Sequence, residues 1–151
     1  MALGLTLMMG LSGCVFHRTV VPVADNTKIQ KLYVVKNRNF LNSNDVVRLQ
    51  GIHSAIVAEC RSMGFDVEEV MEEMPAGARY FITYNAAWMW DLGHFLLDFD
   101  ATLHDGDNQV ASAKFDARSG GLRMDKWANS GNKIRPLIRQ MLSGASPGRQ
   151  P

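Results

Sequence analysis

Tyr80-Phe81-Ile82-Thr83-Tyr84-Asn85-Ala86-Ala87-Trp88-Met89-Trp90 packs aromatic and β-branched residues together with no glycine or proline to interrupt them. That composition belongs to a long strand, placed over residues 78–90. A period of two sets Tyr80, Ile82, Tyr84, Ala86, Trp88 and Trp90 on one side, with Phe81, Thr83, Asn85, Ala87 and Met89 on the other. Residues 95–103 alternate in the same way, with Phe95, Leu97, Phe99, Ala101 and Leu103 opposed to Leu96, Asp98, Asp100 and Thr102. His94 and His104 extend that second set at its two ends. Asp105-Gly106-Asp107 turns the chain into a third strand over 110–117. There Ala111, Ala113, Phe115 and Ala117 continue the apolar side, and a three-residue turn sets Lys114 opposite Asp98.

The turn at Asp91-Leu92-Gly93 fixes what the aromatics face. An even-length loop joins the Tyr/Trp side to Phe95, Leu97 and Phe99 in one apolar surface ready to be covered by helices. An odd-length loop puts Trp88 and Trp90 beside Asp98 and Asp100, a platform suited to a saccharide. Splitting the apolar set leaves large side chains wet, at about 1.5–3 kcal/mol each, so burial favours the first arrangement.

Outward from the meander, Lys31-Leu32-Tyr33-Val34-Val35-Lys36 reads as a buried strand. Asn42-Ser43-Asn44-Asp45 offers N-caps, and Leu49, Ile52, Ile56, Cys60 and Met63 recur at helical spacing up to Gly64, a natural stop. Residues 65–70 form a second strand parallel to the first, completing a βαβ unit; its acidic residues suit a sheet edge. Downstream, Ile134, Leu137, Ile138 and Met141 mark a final helix. Pro136 is tolerated in a first turn, which starts that helix near Asn132. The expected fold is therefore α+β: a mixed sheet from one βαβ unit plus an antiparallel meander, with two helices packed on one face.

The N-terminus carries a different signal. Residues 2–11 form a short apolar run leading into Leu11-Ser12-Gly13-Cys14. The run is shorter than the roughly 20 residues that span a bilayer and suits a signal-peptide core, although no Lys or Arg precedes Cys14. The tetrapeptide resembles the lipobox of bacterial lipoproteins, with cleavage between Gly13 and Cys14 and acylation of the Cys14 sulfur. Two or more hydrocarbon chains anchor a protein stably where one holds marginally. Val15, rather than Asp, follows the cysteine; by the rule of enteric lipoproteins that implies delivery to the outer membrane, facing the periplasm. The expected organisation is a signal peptide over 1–13, a lipidated tether over 14–30, one domain over 31–142, and a disordered Gly-, Ser- and Pro-rich tail over 143–151.

The chain has 151 residues, a formal net charge of +1, 46% hydrophobic and 21% charged residues. One core is feasible at this length, and the scattered basic residues argue against a nucleic-acid partner. Of the two cysteines, acylated Cys14 leaves Cys60 without a disulfide partner, as a buried inert thiol.

The strings Trp88-Met89-Trp90-Asp91-Leu92, Gly120-Gly121-Leu122 and Lys133-Ile134-Arg135-Pro136-Leu137 resemble those of a family of small uncharacterised proteobacterial lipoproteins. The likeness spans residues 30–142. It implies the anchor and carries no activity with it. The element order also resembles the small α+β domains of envelope-assembly lipoproteins, a likeness of fold alone.

Three functions follow as expectations. The first is a non-catalytic envelope module that binds another envelope protein, with no cofactor and no metal. The second is a glycan- or peptidoglycan-binding module using Trp88, Trp90 and Tyr84. The third, least supported, is a hydrolase using Asp98, Asp100 or His104. Strand residues i and i+2 lie roughly 6–7 Å apart on an open face, with nothing to separate their acidities. His94 and His104 stand about 33 Å apart along one strand and cannot share an ion.

Overall fold

A computed structural model of the chain describes residues 16–36, 45–117 and 124–148. Gly13 and Cys14 lie outside the described residues, as do the 42–44 capping positions and the Gly120-Gly121-Leu122 string.

The fold is α+β. Strands β1 (His17–Val21), β3 (Leu32–Lys36), β4 (Val67–Met71), β5 (Tyr80–Trp90), β6 (His94–Asp105) and β7 (Asn108–Asp116) form one mixed sheet in the order β1-β7-β6-β5-β3-β4. A separate two-stranded pair joins β2 (Thr27–Ile29) to β8 (Ala145–Pro147). Helix α1 (Val46–Ser62) connects parallel neighbours β3 and β4, and β5 returns to pair with β3 on its other side. Both helices lie on one sheet face: α1 over β3 and β4, α2 (Ser130–Met141) over β7, β6 and β1. Gly131 of α2 approaches Ala55 of α1 so closely that a β-carbon there would sit 3.2 Å from the alanine methyl.

The core lies between helices and sheet. Leu32, Val34, Ile82, Phe99, Leu103, Ala113 and Phe115 contribute from the strands, and Ile52, Ile56, Ile134, Leu137, Ile138 and Met141 from the helices. Cys60 is fully buried there, and burial pushes its thiol up to about 12. Gly64 closes α1 with φ +89°, a left-handed conformation that glycine adopts without strain.

Four expectations are corrected. The turn after β5 is the three-residue, odd-length Asp91–Gly93, yet Tyr84 still pairs with Ala101 and Ala86 with Phe99. A bulge compensates: Ala87 pairs with Asp98 and Trp88 with Leu96, so Leu97 is the extra residue that restores the apolar register. The β6–β7 turn is tighter than expected, with Asp105 opposite Asn108 and a second bulge before His104; Lys114 therefore faces Asp100, and Asp98 faces Asp116.

Helix α2 begins at Ser130, capped by the Asn129 side chain accepting from the Gly131 N–H at 2.8 Å, so Pro136 falls in its second turn. Both Pro136 and Asn132, whose carbonyl loses its helical donor, are exposed, on the side of the helix that faces away from the core. Finally, the expected tether contains β1 and β2, and the expected tail contains β8. Phe16 is buried with its ring centroid 5.4 Å from that of Phe115. Gly148 N–H donates to Ile29 C=O at 2.8 Å, which ties the C-terminal segment down.

Candidate functional site

The register divides the residues singled out from sequence. Tyr84, Trp88 and Trp90 share the helix side of β5, while Asp98 and Asp100 project from the opposite, open face. The three aromatics form no common platform. Tyr84 is buried beneath α1 with its hydroxyl 2.9 Å from His53 Nδ1. Trp88 is half-buried and donates to Ser130 Oγ at 3.4 Å. Trp90 is 67% exposed.

Trp88 forms one wall of a cleft of about 540 Å3 between the hairpin end of the sheet and the N-terminal ends of the two helices. Arg48, Ser54, His94, Trp127, Asn129, Ser130 and Arg135 complete its polar and aromatic lining. The 3-10 turn Met124–Trp127 closes one side. Trp127 packs on Gly93, where a β-carbon would sit 3.1 Å from the indole, a contact tight enough that the ring would have to shift by a few tenths of an ångström.

At the β5–β6 tip, Met89, Trp90 and Leu92 are 51%, 67% and 80% exposed. Leu92 adopts φ 55°, a left-handed conformation that costs a branched residue about 1–2 kcal/mol. The polar groups around Asp91 are satisfied within the chain. Its N–H donates to Gly93 C=O at 2.9 Å, and its carbonyl accepts from Trp127 Nε1 at 2.8 Å. Its carboxylate meets Lys126 Nζ at 2.7 Å. The Lys126 ammonium is itself buried, 4.0 Å from the Phe95 ring centroid.

The open face gathers the carboxylates. Asp100 is pushed above the usual carboxylate range by burial; Lys114 opposes the shift and Asp98 adds to it. His104 stacks on Phe81 at 4.5 Å, its Nε2 lies 3.0 Å from Thr83 Oγ1, and burial lowers its pKa. Asp98 and Asp100 sit on the open sheet surface, away from the cleft lined by Trp88.

Sequence reading missed His53. It is fully buried on α1, between Tyr84 and Glu69, with Nε2 2.9 Å from Glu69 Oε2. Lys36 Nζ lies 3.7 Å from the same oxygen, and Arg61 reaches the other carboxylate oxygen at 3.5 Å. Desolvation lowers the His53 pKa, keeping the ring neutral. Burial pushes Glu69 upward, but the His53 hydrogen bond and the Lys36 and Arg61 charges outweigh it and hold the carboxyl below its usual range. An ionised Glu69 only accepts, so His53 donates from Nε2 and accepts the Tyr84 O–H at Nδ1. Burial raises the Tyr84 pKa and keeps that proton in place. The detectable signal was His53 lying next to Ile52 on a helix whose apolar face was already assigned.

The chain matches no family model and no curated protein sequence. It is similar in structure to PelC from Paraburkholderia phytofirmans, solved as a dodecamer in two crystal forms. In one, the L103M variant in space group C2, the TM-score is 0.57 at 19% identity, covering 86% of this chain and 96% of that one. In the other, space group P6, the TM-score is again 0.57 at 19% identity, covering 89% of this chain and all of PelC. At that identity the likeness establishes a shared fold.

Proposed function

We propose that the chain is a lipid-anchored, periplasm-facing envelope protein of the small proteobacterial lipoprotein family, acting without catalysis as an assembly module at the outer membrane. The observation that carries this reading is the position of Cys14 in the lipobox, three residues ahead of His17, where β1 begins. An anchor so placed holds the folded domain against the bilayer rather than on a long leash.

Two features support a non-catalytic role. Cys60 and Tyr84, two core side chains with nucleophilic atoms, are kept protonated by burial. The carboxylates of Asp98 and Asp100 share an open sheet face.

PelC assembles as a dodecamer. Here β1 and β4 are the outer strands of the sheet, on opposite sides of the domain. In a head-to-tail assembly two different patches meet, and the two sheet edges are the candidates for them. Native mass spectrometry of the acylated chain in detergent micelles tests this. One closed stoichiometry is expected, lost when Arg18→Pro removes an N–H that faces away from β7 at the β1 edge; a monomer at every concentration overturns self-assembly.

The cleft around Trp88 favours a second reading, a glycan subsite in which an indole stacks on a sugar between Arg48 and Arg135. Titrating peptidoglycan fragments against tryptophan emission tests it. A saturable change abolished by Trp88→Ala is expected, and an unchanged spectrum at millimolar ligand excludes it.

A further inference from the structure

We propose that the β5–β6 hairpin tip, Met89, Trp90 and Leu92, seats in the same bilayer that holds the lipid on Cys14. The inference rests on the lipid-anchor reading and goes beyond it by assigning a second membrane contact within the folded domain.

The strand register supplies the geometry. His17 pairs with Asp116, Asp116 with Asp98, and Asp98 with Ala87, so these four residues form one line across the sheet. Cys14 precedes His17 by three residues and Trp90 follows Ala87 by three. The start of β1 and the end of β5 point the same way. The chain to Cys14 therefore reaches at most about 10 Å beyond that line, and β5 carries Trp90 about 10 Å beyond it. Three ladder spacings, about 14 Å, separate β1 from β5. A bilayer close enough to receive the acyl chains lies level with the hairpin tip.

The tip's chemistry fits that medium. Met89, Trp90 and Leu92 are large, apolar and exposed at one end of the molecule. An indole is the side chain best suited to a membrane–water interface, with an apolar body and one N–H. A loop entering an apolar medium must satisfy its own polar groups. At Asp91 the N–H, the carbonyl and one carboxylate oxygen are met from within, by Gly93, Trp127 and Lys126, and the half-exposed carboxylate faces the polar side of the interface. The left-handed backbone at Leu92 is unfavourable, and it holds the side chain outward at 80% exposure instead of burying it. Strain retained without an internal contact is expected where an external surface receives the side chain.

The test uses the full acylated protein in phosphatidylethanolamine–phosphatidylglycerol vesicles whose acyl chains carry bromine, a quencher of nearby indoles. Mass spectrometry of the N-terminal peptide first establishes acylation of Cys14. Quenching of tryptophan emission that is lost in Trp90→Ala and reduced in Leu92→Gly supports the seating; Trp88 and Trp127 remain as internal references. Acylated protein whose quenching is absent or unchanged by Trp90→Ala overturns the seating and leaves the anchor intact. Crosslinking of position 90 to a second copy without bromine quenching assigns the tip to a protein contact and likewise overturns it. An unacylated Cys14 removes both the anchor and the seating that depends on it.

Discussion

His53 and Tyr84 meet beneath α1, the imidazole Nδ1 2.9 Å from the phenol oxygen, and the contact joins the helix to the strand at the centre of the sheet. Its far end is Glu69 on β4, so one neutral ring links α1, β5 and the sheet edge. Removing the hydroxyl leaves a buried imidazole nitrogen without its donor. Tyr84→Phe is expected to lower the unfolding free energy by about 1–3 kcal/mol, measured by urea denaturation at neutral pH.

The same contact gives stability a pH dependence. The His53 pKa is lowered in the folded state, so between its folded value and the unfolded 6.5 the unfolded chain binds more protons. Stability is full above pH 6.5 and falls as the pH drops toward the folded value. His104 shifts in the same direction and adds to the slope. Glu69, held low by its partners, contributes stability that is present above 4.5 and lost as its carboxylate protonates below that. Denaturation midpoints measured across this range are expected to decline with acid. The loss between pH 6.5 and 5 should shrink in His53→Gln and shrink further when His104→Gln is added.

Position along the β5–β6 hairpin, from its centre to its tip, separates core from surface on the helix side of the sheet. Phe99 is 1% exposed and Trp90 67%. Phe99→Ala is expected to cost about 3–5 kcal/mol, and Trp90→Ser to fall within about 0.5 kcal/mol of the parent. Equal losses in denaturant midpoint would mean that Trp90 is as deeply packed as Phe99.

Leu92 separates stability from surface role. Leu92→Gly relieves the left-handed strain and is expected to raise stability by up to about 1 kcal/mol, read from the thermal midpoint. A fall in that midpoint would mean that the exposed leucine packs against the domain.

Gly144 joins α2 to β8 against the backbone of residues 23–24. A β-carbon there would lie 2.2 Å from the Val23 carbonyl oxygen. Gly144→Ala is expected to unpin the β2–β8 pair, seen as lost amide-exchange protection at Gly148, whose N–H donates to Ile29. Retained protection would show that the segment has room to shift.

Elements defined by their own periodicity were legible in the sequence: β3, α1, β4 and the three strands of the meander, with the α2 face Ile134, Leu137, Ile138 and Met141. What escaped depends on distant partners. β1 and β8 are short, and each is a strand only because β7 or β2 lies beside it. The Leu97 bulge was invisible because a loop-parity argument assumes regular strands, and burial of Phe99, Leu96 and Ile82 inserted the extra residue to keep the faces aligned. Pro136 was misplaced because its exposed side of α2 tolerates a missing hydrogen bond. Of the candidate residues, Tyr84 is buried with its hydroxyl on His53. Its partner His53 lies 31 residues away along the chain, and Glu69, on the other ring nitrogen of His53, lies 16 residues from that histidine, a grouping that the tertiary packing of α1 creates.

The mass of the N-terminal peptide from protein isolated out of native membranes bears most directly on the whole reading. The expected peptide begins at Cys14 and carries a diacylglyceryl thioether on its sulfur. A peptide running through Gly13 into an unmodified Cys14, from protein recovered in the soluble fraction, would contradict it.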